Sequence, residues 1–238
     1  MTDRTDSYNY THFRLEEAGR PAERQVGAGD LVADATLYRL DGSAVRLAEL
    51  WEERPVVLEF GSTTCPVFVS KLEPMEALAR RYAGRVDFYV VYVREAHPGK
   101  HRPPHGSLEE KLERARGLRD EEPVGRAILV DDVRGSLHRR FGGWPNSAVL
   151  IDTDGRVLFY ADWCDPEALR ERIEARLSFP GDEAAAAAVE MEENFSRPSG
   201  RMLATARRVF RRAGSPAGSD FVRQIPRLVL MRLRHRGP

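Results

Sequence analysis

The apolar positions of this chain fall into short runs broken by polar and Gly-rich residues, with helical spacing in the stretches between. Ala35 to Leu47 alternates apolar and polar residues around Asp41-Gly42 and predicts a β-hairpin. A short helical turn over residues 48–52 leads into Val56, Val57, Leu58 and Phe60, a run suited to a buried strand that Gly61 and Ser62 stop. Residues 66–83 place Phe68, Leu72, Met75, Leu78, Ala79 and Tyr82 at steps of three and four, an amphipathic helix in which Pro74 should introduce a kink. Val86 to Val93 is a second strong strand, and this strand, helix, strand order implies a parallel pair joined by a right-handed crossover. Arg94 to Ser107 reads as a loop rich in His, Pro and Gly. Leu108 to Leu118 reads as a helix capped by Ser107, with Glu110 completing a capping box. Ala127–Val130 is a further short strand and Ser136–Phe141 a helical turn. Ser147–Ile151 and Arg156–Tyr160 form a hairpin around D-T-D-G, and Pro166–Leu177 is a final helix.

That order describes an α/β domain of thioredoxin-like fold over residues 27–180, a central mixed β-sheet flanked by helices with a β-hairpin extension at its N-terminal end. Gly143-Trp144-Pro145 precedes the penultimate strand, where this fold places a cis-proline beside its nucleophile, so Pro145 is expected to be cis and to support the site. Residues 1–26 are polar and Gly/Pro-punctuated and read as an irregular lead-in. Residues 181–238 form an extension that is first acidic, with a helix expected around Ala184–Ala188, and then basic beyond Pro198-Ser199-Gly200. In residues 201–212, Met202, Leu203, Ala206, Val209 and Phe210 share one helical face, with arginines on the other.

Charge changes the picture of that extension. Phe195 to Pro238 holds eleven Arg, no Lys and one acidic residue, Asp220, a net +10, so residues 1–194 carry −10 in a chain whose charges cancel. The basic, helical or disordered tail over 201–238 suits contact with an anionic membrane surface or another polyanion, or packing back on the acidic body. No window offers about 18 consecutive apolar residues, so no membrane span is expected, and the polar N-terminus shows no signal-peptide pattern, so the expected location is cytoplasmic. Cys65 and Cys164 are the only cysteines, which excludes a disulfide-stapled scaffold.

The chemistry concentrates at Cys65. Pro66 suits the first helical position, which puts Cys65 at the helix cap, where unpaired N–H groups and the helix dipole favour thiolate over thiol. Ser62, Thr63 and Thr64 form the small polar turn that presents it. Phe68 occupies the later position of a Cys-x-x-Cys pair, so dithiol exchange within one corner is excluded. Cys164 follows the last hairpin strand and should lie on the Cys65 side of the sheet, which makes it a candidate resolving thiol.

Three motifs carry a family resemblance: F-G-S-T-T-C-P-V-F at 60–68, Y-V-R-E-A-H-P at 92–98 and H-G-S-L-E at 105–109. Over roughly residues 50–177 they are similar, in order, to motifs of the iodothyronine deiodinases, in which selenocysteine occupies the position of Cys65. The resemblance implies reductive removal of iodine from a phenolic substrate, with Cys65 as nucleophile, His97 and His105 in proton transfer and Glu95 orienting a histidine. It implies no bound cofactor, and turnover with an external thiol reductant such as thioredoxin or glutathione. Thr63 stands at the family's auxiliary cysteine and Val67 at a proline, and the A-D-W-C-D-P loop lacks the family's substrate-gripping arginine. A peroxiredoxin-like or thiol-disulfide redoxin, reducing peroxides or disulfides through Cys65 and Cys164, is the second reading. A redox-inactive thioredoxin-like binding module is the third, and a homodimer fits any of them.

Overall fold

Strand β3, Val56–Gly61, is buried along its whole length. The structure is a computed structural model that describes residues 8–18, 24–178, 189–191 and 200–234. β4, Asp87–Tyr92, runs parallel to β3, with Val56 opposite Asp87 and Gly61 opposite Tyr92. β5, Ala127–Val130, continues the sheet parallel to β4. On the other side of β3, β6 (Ala148–Ile151) and β7 (Val157–Ala161) add antiparallel as a hairpin, with β8 (Val189–Met191) beyond them. β1 (Thr36–Arg39) and β2 (Ala44–Arg46) form the expected hairpin around Gly42, whose φ of 88° needs a glycine, and β1 pairs with β5. The strand order is β2-β1-β5-β4-β3-β6-β7-β8, a mixed sheet of the thioredoxin-like kind.

Strand alternation divides the core. Val56, Leu58, Phe60, Val91 and Val93 face a layer made by a 3-10 helix, Leu47–Trp51, and by α4, Ser136–Arg140. Val57 and Phe88 face α2 (Pro66–Arg81) and α5 (Pro166–Ser178), while Val90 and Tyr92 face α2 and α3 (Leu108–Glu121). α2 runs unbroken through Pro74, where the sequence predicts a kink. Ser107 Oγ caps α3 by accepting from Glu110 N at 3.2 Å. The Glu110 carboxylate reaches back to Gly106 N at 2.6 Å rather than to the cap residue itself, so the box closes one residue early.

One charged network lies inside the α2 side. Glu59, wholly buried on β3, meets Arg126 at 2.8 Å, and the same guanidinium reaches Glu76 of α2 at 2.7 Å. Arg126→Met leaves two buried carboxylates without their cation and is expected to cost about 3–5 kcal/mol of stability, read from urea unfolding.

The lead-in departs from its expected role. Apart from the one-turn helix α1, Leu15–Ala18, its described backbone is irregular, yet Tyr8, Tyr10, Phe13 and Leu15 are buried. Tyr8 OH pairs with His138 Nδ1 at 2.8 Å, and Arg94 donates to the Tyr8 carbonyl at 2.9 Å. Aromatic residues without a helical or strand period still bury apolar area, and period is what sequence reading detects.

The C-terminal extension packs back on the body as two helices, α6 (Gly200–Ala213) and α7 (Ala217–Arg234). Of the face expected to be apolar and covered, Val209 and Ala206 are buried and Phe210 half-buried, while Leu203 is 60% exposed. The acidic helix expected around Ala184–Ala188 lies outside the described residues. Among the described residues no helix is long and apolar enough to cross a membrane.

Candidate active site

The Gly61-to-Pro66 turn builds the site because Gly61 has no side chain. A Cβ there would lie 2.2 Å from the Phe68 ring, so only glycine lets the first turn of α2 settle against the end of β3. Cys65 is the N-cap of α2, with Pro66 in the first turn, and its Sγ accepts from Phe68 N at 3.5 Å.

The preceding turn is tied to the 92–97 segment by side chains. Thr64 Oγ1 donates to Glu95 Oε2 at 2.5 Å and accepts from His97 N at 3.2 Å. Ser62 Oγ accepts from Ala96 N at 3.1 Å. Tyr92 OH donates to Glu95 Oε1 at 2.6 Å and lies 3.2 Å from Thr63 Oγ1. His105 Nε2 and Arg114 Nε approach the same carboxylate at 3.6 and 3.8 Å. The structure thus gathers Cys65, Ser62, Thr63, Thr64, Glu95, His97 and His105 around one buried carboxylate. The loop expected over 94–107 is largely interior: residues 94–99 are buried, and His101 is exposed. Thr64→Val removes a donor to Glu95 and an acceptor for His97 N, and is expected to cost about 1–3 kcal/mol in urea unfolding.

Burial controls the ionisation of this cluster. The Cys65 thiol is 1% exposed, and desolvation pushes its pKa up to about 12 against the lowering effect of the Phe68 and Val67 N–H groups. The helix cap therefore does not yield the thiolate expected from sequence, because sealing the sulfur from water outweighs the N–H groups that face it. Burial likewise raises Glu95, opposed by its bonds from Thr64 and Tyr92, and brings His97 and His105 down to about 3, so both rings are neutral.

Several residues were not singled out from the sequence. Phe13 from the lead-in, Phe210 of α6 and Phe221 of α7 surround the His97 ring, with centroids 4.1, 5.3 and 5.4 Å from it. Tyr92 and Arg114, at the central carboxylate, belong to the same group. Only Tyr92 left a signal, its place in the motif that carries Glu95 and His97.

One expectation met a different structure. The Ser215–Pro216 bond is the cis peptide among the described residues, so Trp144–Pro145 is trans. Here the Trp144 carbonyl is occupied within the protein, by His138 Nε2 at 2.8 Å and Ser147 Oγ at 3.2 Å, instead of being turned out toward a ligand. Cys164 is a free, buried thiol like Cys65, and both lie on the α2 side of the sheet, Cys164 in the group with Ala148, Leu150, Leu169 and Ile173 and Cys65 in that with Phe68, Leu72, Tyr92 and Val209. Besides burial, the Glu59 charge reaches both thiols and raises them.

An open cleft of about 660 Å³ ends at the cluster, lined by Asn9, Tyr10, His12, Pro104, His105 and Gly106 among others. His105 lines its inner end and Cys65 does not.

Comparison with known proteins agrees with this geometry. Among solved structures, an uncharacterized conserved protein from Geobacillus kaustophilus aligns with a TM-score of 0.52 at 17% identity, covering 69% of this chain and 87% of that one. A putative thiol:disulfide interchange protein DsbE from Chlorobium tepidum aligns at 0.50 and 22% identity, covering 64% and 99%. At these identities the likeness is one of fold. In sequence, the chain is 34% identical over 147 residues to thyroxine 5-deiodinase of Rattus norvegicus, covering 57% of this chain and 48% of the rat protein. Against the Homo sapiens thyroxine 5-deiodinase it is 34% identical over 115 residues, covering 44% and 37%. The chain thus spans about half the length, or less, of the curated relatives it matches. The profile described as iodothyronine deiodinase matches residues 3–166, which include Cys65, Glu95, His97 and His105, and the chain belongs to the iodothyronine deiodinase family.

Proposed function

We propose that this protein is a thiol-dependent oxidoreductase that removes iodine from a phenolic ring, with Cys65 as the attacking atom. The observation that carries the reading is the Glu95 carboxylate. It accepts from Tyr92 and from Thr64, the residue just before the helix-capping Cys65, and is approached by His105. Such a cluster can move a proton between a buried carboxyl, a hydroxyl chain and a neutral imidazole while a soft sulfur takes the halogen.

The Cys65 sulfur takes iodine as the carbon–iodine bond breaks, and the thiol's own proton passes through the neutral His105 or His97 to the ring carbon, leaving a sulfenyl iodide. An external thiol displaces iodide to form a mixed disulfide, and a second thiol releases Cys65 and leaves as disulfide. The aryl iodide is thereby reduced by two thiols to arene and iodide. In the alternative form of that step Cys164, on the same α2 side of the sheet, replaces the first external thiol. Non-reducing peptide mapping after one equivalent of oxidant tests that step, and absence of a 65–164 linked peptide removes it.

The test of the function is iodide release from a panel of iodinated phenols, iodothyronines included, with dithiothreitol as reductant. Release by the wild type that Cys65→Ser loses is the expected result. A folded wild type that releases no more than the variant overturns the reading, and peroxide and disulfide substrates then come first.

A further inference from the structure

The groups that this reading requires are sealed inside the chain. Cys65, Glu95, His97 and His105 are all 5% exposed or less. Part of the seal comes from beyond the matched residues 3–166: Val209 of α6 packs in the Cys65 cluster, and Phe210 and Phe221 meet the His97 ring edge-to-face.

Polar contacts at its rim hold this helical pair down. Arg208 reaches both oxygens of Glu122 at 2.5 and 3.0 Å, and Arg212 reaches Glu122 and Glu121 at 2.8 and 3.1 Å. The α6–α7 turn accepts from Lys100 N through Ser215 O at 2.8 Å and from His101 N through Ala213 O at 2.9 Å. Asp220 pairs with His12 at 2.9 Å. The Arg208 side chain is half exposed, whereas the Glu122 side chain is 3% exposed, so lifting the pair must also hydrate that carboxylate.

The outer side of the same pair has a different character. The described residues hold four exposed large hydrophobic side chains, and three of them, Leu203, Val222 and Ile225, are on α6 and α7. They lie among the exposed Arg207, Arg211, Arg223 and Arg227, in a segment of net charge +10 over residues 195–238. Arginines interleaved with aliphatic residues on a helix match lipid phosphates above and acyl chains below. The body beneath is acidic, with −10 over residues 1–194, so a negative surface draws the pair away from the body rather than pressing the whole chain down evenly.

We propose that the α6–α7 pair is a lid over the Cys65 site and a docking surface for an anionic lipid bilayer, and that docking lifts it. Lipid phosphates take over Arg208 and Arg212 from Glu122 and Glu121, Leu203, Val222 and Ile225 enter the interface, and Phe210 and Phe221 leave His97. The space they vacate lies beside the His97 and Phe13 rings, which are in contact with centroids 4.1 Å apart, and is open to a planar ring. The inference rests on Cys65 being the reacting thiol, and its test needs no substrate.

The full chain is treated with iodoacetamide alone, with phosphatidylcholine vesicles, and with vesicles of phosphatidylcholine mixed with phosphatidylglycerol, and alkylation of Cys65 and Cys164 is followed separately by peptide mass spectrometry. Cys164 lies in the cluster that contains no α6 or α7 residue, so it reports general loosening. The expected result is that phosphatidylglycerol speeds alkylation of Cys65 by about tenfold or more while Cys164 stays slow. Glu122→Lys, which repels Arg208 and Arg212, should speed Cys65 without vesicles. Arg207→Glu with Arg211→Glu should lose the vesicle response. Anionic vesicles that bind the chain but leave Cys65 unchanged overturn the proposal, as does equal acceleration of both cysteines. Single-stranded RNA that speeds Cys65 as much as the vesicles do overturns the choice of a bilayer. Iodide release can fail with this result intact, because alkylation reports access to the sulfur whatever its substrate.

Discussion

Glu95→Ala is expected to lower thiol-dependent iodide release by roughly 10²- to 10⁴-fold, the range over which a positioned proton-transfer group acts. The carboxylate receives the hydroxyls of Thr64 and Tyr92 and lies 3.6 Å from His105 Nε2, so its loss disconnects every proton-bearing group near Cys65. Truncation also strands two buried hydroxyls, and lost activity alone would not separate chemistry from structure. Glu95→Gln separates them, since it keeps the shape and one carbonyl acceptor but cannot ionise. Burial raises the Glu95 carboxyl above its ordinary 4.5, so the folded protein holds that proton where the unfolded chain has lost it. Stability from this group is therefore full below about 4.5 and falls as pH rises through the raised value. Wild type should lose stability relative to Glu95→Gln across that window, measured by urea unfolding at a series of pH values, and the limb of the activity profile belonging to the carboxyl should be absent in the variant. An unchanged activity profile in a folded Glu95→Gln protein would remove Glu95 from the relay.

The alkylation rate of Cys65 in the lipid-free protein is expected to rise about tenfold for each pH unit from about 7 to about 10, without a plateau, roughly a thousandfold in all. Only the thiolate reacts, and burial pushes this thiol up to about 12, so the thiolate fraction keeps growing throughout that range. A plateau near neutrality would mean that the helix cap and its N–H groups win over desolvation in solution. The competition is visible in the structure: Phe68 N approaches the sulfur at 3.5 Å, but only 1% of the residue meets solvent. Water entering when α6 and α7 lift should lower this pKa, so the phosphatidylglycerol arm of the lid experiment should also bend the profile toward a plateau.

The chain's local order determined much of the architecture. Alternation around Asp41-Gly42, the apolar run before Gly61, the three-and-four spacing of α2 and the D-T-D-G turn each place an element because each is set by neighbours in sequence. The same locality placed Cys65 at a helix cap and grouped Glu95 and His97 in one short motif. What the tertiary structure decided is what lies far apart along the chain. Phe13, His97, Phe210 and Phe221 meet across almost the whole length of the sequence, and no periodicity announces that meeting. The trans bond before Pro145 and the burial of residues 94–99 follow from packing between elements. Residue type and helix position alone point Cys65 toward thiolate, and its surroundings reverse that direction. Ionisation depends on how much water a group keeps, and that is a property of the folded neighbourhood rather than of the residue order.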